Sequence, residues 1–570
     1  MMSSGKLEDP LKYYLIYAIE GQESWISEGM KNLIPQSIND AINLAKKINN
    51  EIKKNNEREE LRLALGKIYE NTNRKYNLLT DKAKKNLENF LTNNSTLSLE
   101  VSHQPKFLGG ERFLFNKIAC GAAFANFESN IVPIFYVADY DKVHTELIKT
   151  KFSHSNSPNG FSVSINPEIE KEYLGKRIRN LPLPSISYLL ELFKEIRKIY
   201  TNSINSCLDD NWHKRLLEER LEEALRVIKI AHNNAENYTD WFINIIGTIS
   251  NIIFDQGYLF ISASDLKYKN LLTPFYETLL ENQNKYVETY IDLKRQFIEN
   301  NIQPPLRDIR EDFVPFFYEC ESEQCHHNRL ELTCQDYSSM IHVKCECNQC
   351  GNLVDFSLEK DNPDLSDYAS SFSPRVESRQ YFVSKTLQPA IHIAGTGETR
   401  YYTMGIPLIR RIDKSIHLPV IYFYNKMTMN TFITRKLEQN IINLKIPHFL
   451  ENIKSLMKNL GKFNRLVNKS EEFTPERVNI ISILKNFQYY MKQIESTLEE
   501  KQLSDLTPED KNITSSYLSN MFGKISKEKN GQEAVFHWID LCLKNGMSDL
   551  FKDYFRIYRP WLPPGLEIFL

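Results

Sequence analysis

The chain has 570 residues, 41% apolar and 12% aromatic, which is ample for a sizeable core and too long for one ordinary domain. Its 71 Lys plus Arg against 73 Asp plus Glu leave a formal charge of −2, which excludes a global field for holding nucleic acid or an anionic membrane. The opening MMSSGKLEDP carries no apolar leader, and the most apolar window, residues 241–254, is too short and too polar to span a bilayer, so a cytoplasmic protein is expected.

In chain order, residues 1–95 repeat apolar positions at three- and four-residue spacing and predict an N-terminal helical region. TLSLEV at 96–101 is a short strand, followed by the glycine-bearing SHQPKFLGGERFLFNKIA from Ser102. IVPIFYVAD at 131–139 is apolar on both faces, as an inner strand of a covered parallel sheet must be. Strand, glycine turn, helix and strand together read as a βαβ unit. Helices are expected over 186–233, a buried strand in GYLFIS at 257–262, and helices again over 266–297. Two more strands, AIHIA at 390–394 and LPVIYFY at 418–424, follow a cysteine-rich stretch. From 432 onward the text is helical and lysine-rich, with heptad-like stretches near 446–466 and 478–503. The expected class is α/β, with a parallel-sheet core split by insertions. The divisions are 1–95, a core in two parts (96–312 and 361–430), a metal-binding insertion at 313–360, a helical arm at 431–530 and a helical end at 531–570.

Six of the nine cysteines lie between Cys320 and Cys350. Thiols clustered this way in a reducing compartment mean metal more often than disulfide. Cys347 to Gly351 reads CxxCG, a knuckle whose turn aims two thiolates at one ion. RLELT and IHVK, between the cysteine groups, alternate and can pair as a hairpin, which makes the segment a zinc ribbon. The preferred ligands are Cys320, Cys325, Cys347 and Cys350, with Cys345, His326 or His327 as alternatives. Four thiolates close the coordination sphere, so the expected zinc is structural.

Two turns look built to hold a ligand: Ser102 through Gly109 and Gly110 to Lys117, and His392 through Gly395, Thr396 and Gly397 to Tyr402. Each runs from a strand into a helix start, where backbone N–H groups attract anions. Each is also compatible with a plain structural turn.

At these residues the sequence resembles the bacillithiol-biosynthesis cysteine-adding enzymes, the bacillithiol synthase family. Ser102 to Lys117 resembles that family's TGQQ-x-GLFTGP turn, and Val132 to Tyr136 its VPVFW strand. Gly257 to Asp265 resembles GLVLLDAS, Ser373 to Pro389 the SPNVxLRPLxQDxLLP segment, and His392 to Met404 the HVSGPGEIAYYAQ turn. The order and rough spacing of all five agree. The family's EDHD stretch is here Tyr140-Asp141-Lys142-Val143, which keeps one acid, and the asparagine of SPN is Arg375. The cysteine ribbon has no counterpart in the family pattern.

The resemblance implies a Rossmann-like core related to class I aminoacyl-tRNA synthetases, a coiled-coil arm that makes a homodimer, and amide formation between cysteine and glucosaminyl malate. Use of a nucleotide, ATP or ADP, is left open. In such a site His103, Asp141, His392 and Glu398 are the candidate catalytic residues, with His144 a lesser acid–base candidate. Ser102, Gln104, Gly109, Gly110, Lys117, Arg379, Gly395 and Gly397 are the candidate substrate-binding residues. Each has a plainer reading: a structural histidine, a solvated cation, a helix cap at Asp141 or Asp265, or a carboxylate complementing a helix dipole at Glu398. The competing functions are a binding or scaffold protein that kept the fold without the chemistry, and an RNA-associated factor, against which the neutral charge argues. The enzyme reading requires the turns at 102–110 and 392–400 to meet on one rim of one parallel sheet.

Overall fold

The computed structural model describes residues 7–53, 58–443 apart from 156, 158, 338 and 361, scattered positions over 451–496, and residues 507–522 and 531–569. Apart from those scattered positions, the heptad-like stretches after 446 lie outside the described residues, and with them much of the expected arm.

Strand β1 (Leu97–His103) is buried over all but its last residue and pairs in parallel with β2 (Ile131–Val137), with Val101 opposite Phe135. The helix Arg112–Phe127 crosses between them. Its Gly121 is required by that crossing: a Cβ there would sit 2.4 Å from the Tyr258 hydroxyl and 3.0 Å from Val101. A short antiparallel pair follows, β3 (Lys149–Phe152) with β4 (Phe161–Ser164), before β5 (Leu259–Ser262) joins the free edge of β2. The apolar 241–254 window is a buried helix, Tyr238–Gly247, continued by a π-helical turn over Thr248–Ile253.

Next comes an antiparallel sheet of β6 (Phe313–Glu319), β7 (Arg329–Tyr337), β8 (Met340–Glu346), β9 (Leu353–Glu359) and β10 (Phe372–Pro374), in the order β10-β6-β7-β8-β9. The expected hairpin is β7–β8. The sheet extends past residue 360, because Phe372 of β10 packs edge-on to Tyr276 and 4.9 Å from Phe316 and so ties the insertion into the helical body.

The chain then returns through β11 (Ile391–Ala394) and β12 (Val420–Phe423) to finish the first sheet, whose order is β12-β11-β1-β2-β5 with every neighbour parallel. Its strands are buried on both faces because helices cover both, the condition a purely parallel sheet needs, and β2 and β12 are continuous apolar runs. A last parallel pair, β13 (Lys426–Thr428) with β14 (Glu567–Phe569), draws the C-terminal segment against the end of this sheet. No helix among the described residues is long and apolar enough to cross a membrane.

Candidate functional site

From β1 the chain proceeds to β2 and β5 on one side and later to β11 and β12 on the other. The strand order therefore reverses between β1 and β11, and ligands of open α/β sheets sit beyond the carboxyl ends of the strands at such a point. The turns after these two strands meet there, on the rim of a cleft of about 850 Å³. Its lining includes His103, Gln104, Lys106 and Lys117 from the first turn and Gly395, Thr396, Gly397, Glu398 and Tyr401 from the second. Asp141, His144 and Tyr140 follow β2, and Arg379 opens the helix Arg379–Thr386. The antiparallel sheet supplies Phe317, Arg329, Glu331 and Pro374, so the cysteine-bearing insertion forms one wall.

The floor is a set of buried ion pairs. Lys117, 2% exposed, contacts the Glu398 carboxylate and lies 3.3 Å from the Ser102 carbonyl. Arg379 donates to the Ser102 hydroxyl and lies 3.5 Å from Glu100 and 3.6 Å from Glu398. Glu398 also accepts from the Gly395 N–H at 2.7 Å, closing the first turn of the helix Thr396–Ile412 on itself. Burial by itself would raise the Glu398 carboxyl, but Lys117, His392 and Arg379 more than offset it and hold it far below the usual carboxylate range. The same contest, won by His392 and Arg379, lowers Glu100.

His103 faces the cleft with Nδ1 2.8 Å from the Gln104 carbonyl oxygen. A carbonyl only accepts, so Nδ1 carries the proton and Nε2 is left as the acceptor. Burial, with Lys106 and Lys117 nearby, pushes this imidazole down to about 3, so it is neutral at pH 7. Asp141 accepts from Gln104 Nε2 at 3.1 Å and from Arg329 at 2.8 Å, and its carboxyl is lowered because Arg329 and these hydrogen bonds outweigh burial.

Several expected residues have other places. His392 is fully buried and does not line the cleft. Its Nδ1 is 2.9 Å from Glu100 and its Nε2 3.4 Å from the Tyr402 hydroxyl, so it braces the floor from behind. Ser102 likewise lies beneath Arg379. Gly109 and Gly110 do not line the cleft either. Both have positive φ, +90° and +86°, in a turn whose Leu108 carbonyl accepts from Trp538 Nε1 at 2.9 Å and His537 Nε2 at 3.0 Å. A Cβ on Gly109 would meet Trp538 at 2.9 Å, so these glycines let the C-terminal segment seal the turn. Asp265 is a helix cap, accepting from Lys267 and Tyr268 N–H groups. Sequence reasoning missed Glu100, Tyr140, Arg329 and Glu331. Glu100 had a signal, a carboxylate between Leu99 and Val101 in a strand whose other polar residues are uncharged serines and a histidine. The others had none.

The four-cysteine cluster is separate from the cleft floor. The thiols of Cys320, Cys325, Cys347 and Cys350 lie within 4.8 Å of one another, and those of Cys320 and Cys350 are 3.6 Å apart. Tetrahedral zinc with Zn–S of about 2.3 Å implies S···S near ~3.8 Å, so the donor set fits. Asn352 Nδ2 lies 3.5 Å from the Cys320 sulfur, and Gly351, at φ +71°, turns the second knuckle. The alternatives are engaged elsewhere: His327 Nδ1 is 3.0 Å from the Cys320 carbonyl, His326 is 3.3 Å from Glu172, and Cys345 stands outside the cluster.

Residues 28–422 match the family model described as bacillithiol biosynthesis BshC, N-terminal Rossmann-like domain. Among curated proteins none matches the chain.

Proposed function

The chain belongs to the BshC family of bacillithiol biosynthesis, and on that premise we propose that it is a carbon–nitrogen ligase, joining cysteine or a similar amino acid to an amino-sugar conjugate such as glucosaminyl malate. The observation that carries this reading is the convergence of the turns after β1 and β11 on one open cleft. A protein that had kept only the fold would have no need to hold so many ionisable groups around an open volume of about 850 Å³.

Amide formation needs an amine nitrogen to attack an activated carboxyl carbon, expel the activating group and lose a proton. Neutral His103, with Nε2 as acceptor, is the proposed base. Its low basicity comes from burial, with Lys106 and Lys117 nearby, and a substrate carboxylate bound beside it would raise it. The N–H groups of Thr396 and Gly397 at the helix start, with Lys117 and Arg379 beside them, are suited to the negative charge that gathers on the carbonyl oxygen. Asp141 and Gln104 are suited to an ammonium or a hydroxyl.

The same proposal assigns zinc to the four cysteines, where it would tie the two knuckles together and take no part in the chemistry. A homodimer built through the arm goes with it. The purified protein, given cysteine and glucosaminyl malate with and without Mg-ATP, should yield the cysteinyl amide by mass spectrometry. Deleting the gene should remove the corresponding thiol from the source cells and leave its amine precursor to accumulate. Absence of amide in every mixture, with no change in cellular thiols, would end the ligase reading.

A further inference from the structure

We infer that Arg329 is a positioning residue for Asp141, and that metal in the four-cysteine cluster holds Arg329 in that place. This rests on the metal-site reading and not on the ligase reading.

Asp141 is the acid of the cleft that follows β2, and its geometry is not set by its own loop alone. Its Oδ1 takes 2.8 Å contacts from both its neighbour's N–H, Lys142, and Arg329, while Oδ2 receives Gln104 Nε2 at 3.1 Å. Gln104 in turn offers its carbonyl to His103. Asp141 therefore holds the Gln104 side chain, while the backbone carbonyl of the same residue holds the imidazole, so both first-turn groups are anchored at Gln104.

Arg329 belongs to the insertion, not to the parallel core. Its guanidinium is 5.0 Å from the Tyr140 ring centre and 4.2 Å from that of Phe317. Nε donates to the Ser373 hydroxyl at 3.1 Å, one terminal nitrogen to the Pro374 carbonyl at 2.7 Å, and the other to Asp141. Three acceptors in three directions use the planar fork of an arginine, and a lysine ammonium cannot reproduce them.

The backbone of Arg329 is held on one side by its pairing with Glu319 of β6 and on the other by the first knuckle. Arg329 opens β7 directly after the 320–328 loop that carries Cys320 and Cys325, and that loop closes with the Cys320 N–H donating to the Asn328 carbonyl at 2.8 Å. Within it, His326 and His327 both have positive φ, +50° and +53°. For a residue with a Cβ this conformation costs on the order of 1–2 kcal/mol and persists only when its surroundings over-determine it. The turn's own hydrogen bonds run from the His326 N–H to the Glu323 carbonyl at 2.9 Å and from the His327 N–H to the Ser322 carbonyl at 3.2 Å, and a metal bound to Cys320 and Cys325 would add a tie from this loop to Cys347 and Cys350. Without it the loop has cheaper conformations open to it, and the first residue of β7 goes with the loop.

Coupling of this kind is reciprocal: if metal holds Arg329 on Asp141, then the Arg329–Asp141 contact must tighten metal binding. The experiment measures zinc affinity of the full chain by competition with a chromophoric chelator, for the parent, Arg329→Met, Asp141→Asn and the double variant. Hydrogen exchange is followed by mass spectrometry with and without zinc. Each single variant should lose zinc affinity by roughly fivefold or more, and the double no more than either. In the parent, stripping zinc should speed exchange by about tenfold in residues 139–144 and 101–106 as well as in 320–350. In zinc-loaded Arg329→Met the first two segments should already be fast. Asp141→Asn is nearly isosteric and tests the coupling even if the arginine variant folds poorly. Unchanged zinc affinity in Asp141→Asn, with faster exchange confined to 320–350 on stripping, would overturn the inference. Failure to form any amide would leave both measurements intact, so the two readings fail separately.

Discussion

The Lys117–Glu398 pair offers the sharpest test of how the cleft floor is held. Glu398→Gln keeps the shape and an acceptor for the Gly395 N–H, whose hydrogen bond is 2.7 Å, but removes the charge that Lys117 faces. Lys117, 2% exposed, would then face only neutral acceptors, the amide oxygen that replaces the carboxylate and the Ser102 carbonyl at 3.3 Å. Breaking one end of a buried pair costs about 3–5 kcal/mol, much of it the stranded partner. Lys117→Met strands Glu398 less completely, because Arg379 remains 3.6 Å away. We expect ~3 kcal/mol or more for Glu398→Gln, a smaller loss for Lys117→Met, and a double variant milder than the sum by about 1–3 kcal/mol. Urea unfolding at pH 7.5, followed by circular dichroism, measures all four corners of the cycle. The pH dependence has a definite sign. Glu398 titrates lower in the folded protein than in the unfolded chain, so its stabilisation is complete above the ordinary glutamate range. It is lost as pH falls below that range toward the depressed folded value, and Glu398→Gln should flatten that part of the acid limb. Additivity of the two single variants within about 0.5 kcal/mol would refute the claim that the pair is coupled.

Cys350→Ser or Cys320→Ser should abolish stoichiometric zinc, whereas Cys345→Ser and His327→Ala should retain it, as metal analysis of the purified chains would show. His103→Asn should lower the turnover number for amide formation by about 10²–10⁴-fold with little change in KM, the loss expected for a proton acceptor. A KM effect alone would make His103 a binding residue. Gly109→Ala should unfold readily or fail to express, because φ is +90° and the new methyl would lie 2.9 Å from both Trp538 and Ile245. Gly397→Ala has open space and an ordinary backbone, so it should keep its melting temperature and act only on ligand affinity.

The sequence made the strands legible because a parallel sheet buried on both faces must be written in continuous apolar runs. IVPIFYV and VIYF are such runs, and both are strands. The two glycine turns were legible as positions, but their chemistry was not. Glycine marks a backbone that needs positive φ or close approach, and at Gly109 the close approach is Trp538, a residue far along the chain, not a ligand. The orientation of His392 was hidden for a similar reason: a histidine beside a glycine turn has the same letters whether it faces the cleft or Glu100 behind it. Arg329 could not be found at all. It sits in an alternating strand where a charged residue is the ordinary solvent-facing choice, and only the docking of the antiparallel sheet turns that face inward. The knuckle spacing, by contrast, is local chemistry, and the four preferred cysteines are the ones that converge.

The cleft contains many charges but little uncompensated charge. Lys106 lies 2.7 Å from Glu111, Lys117 contacts Glu398, Arg329 is 2.8 Å from Asp141, and Arg379 is shared between Glu100 and Glu398. Cations already neutralised attract a polyanion weakly, since it must compete with carboxylates that are held in place and partly desolvated. A zwitterion is better matched, because its carboxylate and ammonium can each lie beside one member of an existing pair. If so, cysteine binding measured by calorimetry should change by less than about threefold between 0.05 M and 0.5 M salt, where exposed charge–charge attraction is strongly screened. A steep fall in affinity over that range would mean that a net positive field draws the ligand in, and that the pairs on the cleft floor open when it arrives.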